Sequence, residues 1–137
     1  MSSERQALQA FAVDLERVVD RLRSMSPERL ARPFPGYVSR QEAGLGLAQR
    51  LADLAQGVEG RLADQPPAPR PLPRLLAYAV GDQVAVTGHD LMAALTGLDA
   101  AASVWVAEAG APEAVRRPAS AALETAHAAV NDLRLSL

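Results

Sequence analysis

The sequence predicts an all-α fold, a four-helix bundle in one domain over residues 1–137, with long loops between helices 1 and 2 and between helices 3 and 4. Three observations lead to this prediction. Strong helix formers dominate, whereas aromatic residues make up only 4% of the chain. Apolar residues recur at steps of three and four in four separate segments. Prolines and glycines gather between those segments, and 137 residues suit one domain.

The first segment predicts a helix over about residues 3–25, with Ser2 or Ser3 as its N-cap. One apolar stripe runs along this helix and indicates the face that packs on the core. The stripe consists of Leu8, Phe11, Leu15, Val18, Leu22 and Met25. Ser26-Pro27-Glu28 then predicts a short turn of helix, because proline is favourable at the first helical position.

The second long helix is predicted over about residues 39–64. Two prolines and Gly36 precede it and exclude a continuous helix there. Ser39 is the expected N-cap, and Glu42 follows at the capping-box spacing. The apolar stripe of this helix is Leu47, Leu51, Leu54, Val58 and Leu62. The proline-rich segment 65–71 predicts a loop that is partly extended.

The third helix is predicted over about residues 73–96, with Pro73 in its first turn and Gly97 just beyond its end. By composition this helix is the most buried of the four. Its main face carries Leu76, Val80, Val84, Leu91, Leu95 and Leu98. Gly81 and Gly88 lie seven residues apart and therefore on one side. They favour a close approach of another helix over space for a ligand.

Residues 100–108 predict a short helix that holds Trp105, the only tryptophan. Gly110 and Pro112 interrupt it. A last helix follows over about residues 118–135. Its stripe is Leu123, Ala126, Val130, Leu133 and Leu137, and four amphipathic helices of this kind are typical of a bundle.

Composition excludes several classes of function. There is no cysteine, so disulfides and thiolate chemistry are excluded, and two histidines are too few for a three-histidine zinc site. Fourteen basic and 16 acidic residues give a net charge of −2, which argues against nucleic acid as a partner. No leader or membrane-length apolar run is present, so we expect a cytoplasmic protein. All basic residues are arginine and isoleucine is absent, which indicates a high-GC bacterium.

Two groups of side chains are candidates for chemistry. Glu124 and His127 share a helix face at the spacing that di-iron bundles use, but no second motif accompanies them, so a solvated pair is favoured. The third helix carries a polar cluster on an otherwise apolar element: Asp82, Gln83, Thr87, His89 and Asp90. This cluster either binds a ligand, or it makes hydrogen bonds between helices or forms one exposed polar edge, and the second alternative is favoured.

Two segments resemble a known family. Residues 32–37, with the sequence Arg-Pro-Phe-Pro-Gly-Tyr, and Arg40 after them resemble the R-P-x-P-G-W-x-x-R-D entry of the DinB-like superfamily. Residues 83–97 resemble that family's E-L-x-x-H-x-x-D-L-x-x-A-x-G motif, with Asp90-Leu91 and Gly97 as the anchors. The nearest branch is the N-terminal domain of mycothiol-dependent maleylpyruvate isomerases. The resemblance covers about residues 4–99 and implies the same bundle fold.

The resemblance also implies a divalent metal, held by one histidine of helix 2 and a Glu-x-x-x-His pair of helix 3. In this chain those positions fall on Leu45, Gln83 and Thr87. Leucine cannot coordinate a metal, and neutral Gln and Thr are weak ligands. We therefore expect no metal and no cofactor. The residues expected to bind a ligand instead are Tyr37, Gln83, Thr87, His89 and Asp90.

Three functional hypotheses follow. The first is a non-catalytic module that binds a small molecule or a protein partner. The second is a metal-dependent thiol transferase, isomerase or hydrolase whose site is rebuilt from Asp82, His89, Asp90, Glu124 and His127. The third is a structural subunit that forms a homodimer, because Leu133, Leu135 and Leu137 put leucines on more than one side of the last turn. We favour the first.

Overall fold

The computed structural model describes residues 2–108 and 110–137, and it is mostly helical. The described residues form five α-helices and one small antiparallel sheet. The helices are α1 (Ser2–Arg23), α2 (Pro27–Ala31), α3 (Arg40–Glu59), α4 (Val80–Leu95) and α5 (Ala119–Ser136). The strands are β1 (Ser103–Val106) and β2 (Val115–Pro118). None of the described helices is both long and apolar enough to cross a membrane.

Two predicted helix starts are confirmed by their caps. The Ser26 hydroxyl accepts a hydrogen bond from the Arg29 backbone N–H at 3.1 Å and begins α2. The Ser39 hydroxyl accepts one from the Glu42 N–H at 3.0 Å and begins α3. Each cap satisfies a backbone donor that the first helical turn leaves unpaired. Residues 24–39 therefore turn the chain from α1 into α3.

The helix predicted over residues 73–96 begins later in the structure than predicted. A 3₁₀ turn covers Ala77–Ala79, and α4 starts at Val80. The preceding residues are extended because side chains satisfy their backbone: Gln49 accepts from the Leu72 N–H, and Gln83 donates to the Pro73 carbonyl. Leu76, predicted in the core, is 67% exposed.

The predicted short helix at residues 100–108 is wrong, because residues 103–106 form β1. This strand pairs with β2 in the register Ser103 to Pro118 and Val106 to Val115. Val104 and Val106 point into the core and are almost fully buried, as alternate residues of a half-buried strand do. Neither strand has helical spacing, and β-branched residues favour the extended form.

The predicted helix over residues 39–64 ends earlier, at Glu59, with Gly60 as its C-cap. Leu62, predicted in the apolar stripe, is 87% exposed. Arg116 of β2 donates to the carbonyls of Arg61 and Ala63, at 2.6 and 2.8 Å, and its guanidinium stacks 4.0 Å above the Trp105 ring. Arg116 of the hairpin that β1 and β2 form thus hydrogen-bonds two carbonyl groups that a longer helix would have bonded internally.

The four long helices run in two parallel pairs. Glu4 lies near Ala100 ahead of α5, and Arg21 donates to Leu137 at the end of α5, so α1 and α5 are parallel. Residues 60–76, which we call the strap, return from the end of α3 to its start. The strap delivers the chain to α4 beside the start of α3, so α3 and α4 are also parallel.

One core lies between these four helices. α1 and α3 each contact both α4 and α5. Its largest fully buried side chains include Phe11, Leu15, Leu22, Leu51, Leu54 and Leu91. The predicted close approach at Gly81 and Gly88 is confirmed, because an added Cβ there would crowd Arg23 and Leu15 of α1, respectively. The glycines let α1 and α4 pack with little space between their backbones.

Candidate functional site

The polar cluster predicted on the third helix is spread over several environments. Asp82 is exposed and pairs with Arg23 of α1, at 2.7 Å. Gln83 donates to the Pro73 carbonyl at 2.8 Å and so fastens the strap. Thr87 is buried and donates within its own helix, to the Gln83 carbonyl at 2.8 Å. His89 and Asp90 are exposed.

Tyr37 lies apart from that cluster. Its ring stacks on Phe34, with 4.8 Å between centroids, and it lines a groove of about 560 Å³ between α3 and α5. None of the other four residues predicted to bind a ligand lines this groove. A ligand-binding role for these five remains a prediction.

The positions at which the resemblance implies metal ligands have packing and helix-bonding roles. Leu45 is half-buried against the core, and Gln83 and Thr87 make the bonds just given. Within residues 2–108 and 110–137, no three acidic or histidine side chains gather into a group that could hold a metal ion. Of the side chains proposed for a rebuilt site, Asp82 pairs with Arg23, whereas Glu124 and His127 lie on α5.

A different part of the molecule combines a cavity with titratable groups. A pocket of about 270 Å³, which we call the α1–α5 pocket, lies where α1 and α5 begin and α4 ends. Its apolar lining includes Ala7, Leu8, Leu95, Leu98, Ala100 and Leu123. Its polar lining is Ser3, Glu4, Ser120, Glu124 and His127.

Local backbone bonds shape this pocket. The N–H groups of Ala119 and Ser120 donate to the carbonyls of Ala102 and Ala100, at 2.7 and 2.9 Å. These bonds tie the first turn of α5 to the chain that leaves α4. Glu4 of α1 accepts a hydrogen bond from the Ala100 N–H at 3.4 Å. Three elements are therefore joined at Ala100, and their apolar side chains form the floor of the cavity.

His127 lines the pocket and also contacts Asp14, which lies outside it. Its Nε2 lies 2.7 Å from Oδ2 of Asp14 on α1, and Asp14 does not line the pocket. The His127 ring also meets the buried ring of Phe11 edge-on, with 6.0 Å between centroids. The side chains of His127 and Asp14 are 26% and 16% exposed. The imidazole thus lies between the Asp14 carboxylate and the Phe11 ring.

Asp14 also interacts with two arginines. Arg17 lies 3.2 Å from its Oδ1 and Arg134 3.8 Å from the same atom. The hydrogen bond from His127, helped by these positive charges, holds the pKa of Asp14 below its ordinary value, although burial acts in the opposite direction. Asp14 is therefore a carboxylate at neutral pH and accepts a hydrogen bond from the Nε2–H of His127.

This arrangement fixes the chemistry that His127 offers to the pocket. When the imidazole is neutral and Nε2–H donates to Asp14, the lone pair is on Nδ1. Nδ1 has no hydrogen-bond partner in the described part of the chain. In that state the imidazole has an acceptor nitrogen to offer a ligand, and His127 lines the pocket together with Glu124.

Sequence reasoning predicted Glu124 and His127 as a solvated pair, whereas His127 is half-buried and bonded to Asp14. The Asp14 partner was missed because it lies 113 residues away. The regular 3–4 spacing at Leu8, Phe11 and Leu15 puts Asp14 beside the core face of α1, and this was the available signal.

No protein-family model, no curated protein and no solved structure matches this chain.

Proposed function

We propose that this chain is a DinB-like four-helix bundle that lacks the family's metal ligands and acts as a non-catalytic binding module for a small molecule. The motif resemblance and the order of long helices and connections support the fold. The α1–α5 pocket is the observation that supports binding of a small molecule. It is concave, mostly apolar and supplied with a few polar groups, as small-molecule sites are.

The size of the pocket limits the ligand. Its volume of about 270 Å³ is slightly below the range of roughly 300–1,000 Å³ that drug-sized ligands occupy. We therefore expect ligands of fragment size.

A fragment screen tests this function. ¹⁵N-labelled protein is titrated with a library of small organic fragments, and the amide shifts are mapped onto the sequence. We expect hits that perturb residues around Leu8, Leu98 and Leu123. Replacing Ala7 by Trp fills the pocket from an exposed position and should abolish those hits. Ala10→Trp, exposed on the same helix but outside the pocket, should leave them intact. Hits that survive Ala7→Trp would refute the proposal.

Metal content separates this proposal from a metal-dependent enzyme. We expect less than one equivalent of zinc or nickel in the purified protein, and no tight binding of either ion by calorimetry. One tight equivalent would favour the thiol transferase, isomerase or hydrolase with a rebuilt site. Its loss in His89→Ala or in His127→Ala would then identify the histidine involved.

One observation favours the homodimeric subunit as a second candidate. Leu135 of α5 is 76% exposed, and of the three leucines predicted for a dimer contact it is the one that the fold leaves exposed. Sedimentation equilibrium at micromolar concentration decides between the two. A dimer that dissociates in Leu135→Gln would support the subunit, whereas a monomer would leave small-molecule binding as the function.

A further inference from the structure

We infer that the α1–α5 pocket selects small organic ammonium ions, meaning a protonated amine attached to an apolar body. This inference depends on the proposed function, because it names the class of ligand for the same pocket. Three features of the lining carry it: an apolar floor, a carboxylate beside an imidazole acceptor, and the absence of any arginine among the residues that line the pocket.

The apolar floor of the pocket would contact the apolar part of the ligand. Leu8 of α1, Leu95 and Leu98 at the end of α4, and Leu123 of α5 line the cavity together. Leu95 belongs to the buried core, and the other three pack against it, so these side chains are held in place. An aliphatic or aromatic group of fragment size would lose water on entering.

Glu124 accounts for the positive charge. It lies three residues before His127 on α5, so the two side chains share a face of the helix. Glu124 is exposed, and no hydrogen bond or ion pair engages it within residues 2–108 and 110–137. Its carboxylate is therefore available to a ligand at the rim. Glu4 also lines the pocket, where it already accepts from Ala100.

His127 accounts for hydrogen bonding. Asp14 engages Nε2, and when the ring is neutral the other nitrogen, Nδ1, carries a lone pair. A primary ammonium has three donors and can serve both Nδ1 and the Glu124 carboxylate. A carboxylate ligand would meet a lone pair and a negative charge instead. Specificity of this kind comes from rejection as much as from attraction.

The helix ends do not reverse this preference. α1 and α5 begin at the pocket, and each N-terminus contributes roughly half a positive charge. Glu124 carries a full negative charge at the same place. The chain has 14 arginines, yet none lines this cavity, so no side-chain cation adds to the helix ends there. The Glu124 carboxylate is therefore the charged group that a ligand at the rim would meet.

A set of three compounds of similar shape tests the inference: cyclohexylmethylamine, cyclohexylmethanol and cyclohexanecarboxylate. Each is titrated into the full chain at pH 7.5 and followed by amide shifts. We expect the amine to bind at least tenfold more tightly than the alcohol or the acid. An alcohol or acid that binds as tightly would overturn the ammonium preference and leave the proposed function standing. A fragment screen without any pocket hit would overturn both.

Charge variants at Glu124 make the test specific. Because this side chain is exposed, its replacement should leave the fold intact. Glu124→Gln should weaken the amine about five- to tenfold and leave the alcohol unchanged. Glu124→Arg should reverse the order and favour the acid. Glu16→Gln removes an exposed carboxylate of α1 outside this pocket and should change neither affinity. Equal amine binding by the protein and its Glu124→Arg variant would refute the inference.

Discussion

Asp14 connects α1 to α5 through His127 and Arg134 and makes a further pair with Arg17 on its own helix. Its lowered pKa means that folding stabilises the ionised form of Asp14 relative to the protonated form. The resulting stability is fully present above the unfolded pKa, near 3.9, and is lost as the pH falls through the lower pKa of the folded state.

Asp14→Asn should therefore remove part of the acid dependence. We expect the free energy of unfolding at pH 7 to fall by about 1.5–3 kcal/mol, the range for a hydrogen bond to a charged group. The difference between the two proteins should shrink as the pH falls below about 4. Urea unfolding from pH 2.5 to 7 measures this. Asp90→Asn, at an exposed position on α4, is the matched control and should follow the unmutated protein. A constant difference at every pH would contradict the argument.

Gly57 and Gly46, both on α3, form a second matched pair. A Cβ at Gly57 would overlap the carbonyl oxygen of Trp105, whereas a Cβ at Gly46 would meet no atom within 4 Å. Gly57→Ala should push the hairpin away and destabilise the protein by about 1–3 kcal/mol, the usual effect of overpacking. Gly46→Ala should stabilise it by about 0.5–1 kcal/mol through helix propensity. Urea unfolding of both variants checks the opposite signs.

Local signals at single residues were readable from the sequence, and distant partners were not. The cap at Ser39 and the close approach at Gly81 and Gly88 are confirmed, since each depends on nearby spacing. The bond between Asp14 and His127 depends on the arrangement of two helices at opposite ends of the chain. No local pattern encodes such a contact, so the candidate pocket was not predicted.

At the scale of elements, the strap is held by Gln49. Its amide nitrogen donates to the Arg70 carbonyl and to Asp53, and its amide oxygen accepts from the Leu72 N–H, all within 3.0 Å. Both ends of one side chain therefore fasten the strap to α3. The bidentate pair between Arg74 and Glu42 adds a second attachment near the start of that helix.

Gln49→Ala should loosen the strap without unfolding the helices. Loss of these bonds should cost about 1–2 kcal/mol of local stability, which raises the open population by a factor of roughly 5–30. Trypsin cleavage after Arg74 should accelerate by a similar factor, and mass spectrometry of the fragments identifies the site. Gln9→Ala, on the exposed face of α1, should leave the rate unchanged. Equal cleavage in both variants would show that Gln49 does not secure the strap.

The geometry of the strap also explains why the start of α4 was predicted wrongly. Leucine and alanine at residues 72–79 favour helix locally. However, α3 has 20 residues and is about 30 Å long. A chain that returns along it needs about nine extended residues, at roughly 3.3 Å each. The side chains of Gln49 and Gln83 hold Leu72 and Pro73 in this returning segment, so the helix begins only at Val80.

At the scale of the whole molecule, the sequence predicted the helical class and the four long helices, because amphipathic spacing is a strong local signal. The hairpin was missed, because a four-residue strand gives almost no periodic signal and acquires its role only by packing on α3 and α5. The fold was thus readable where one helix buries one face. The fold could not be predicted where a short element, such as the hairpin, is stabilised only by packing on other elements.

The parallel pairing of α1 with α5 has a consequence for how fast this chain folds. In an up-and-down bundle the first helix packs on the next long helix of the chain, whereas here α1 packs on α4 and α5, and Asp14 must find His127, 113 residues away. Contacts of high sequence separation require loop closure before they stabilise anything, and they slow folding. Stopped-flow refolding followed by Trp105 fluorescence should therefore be slower than for an antiparallel four-helix bundle of the same length.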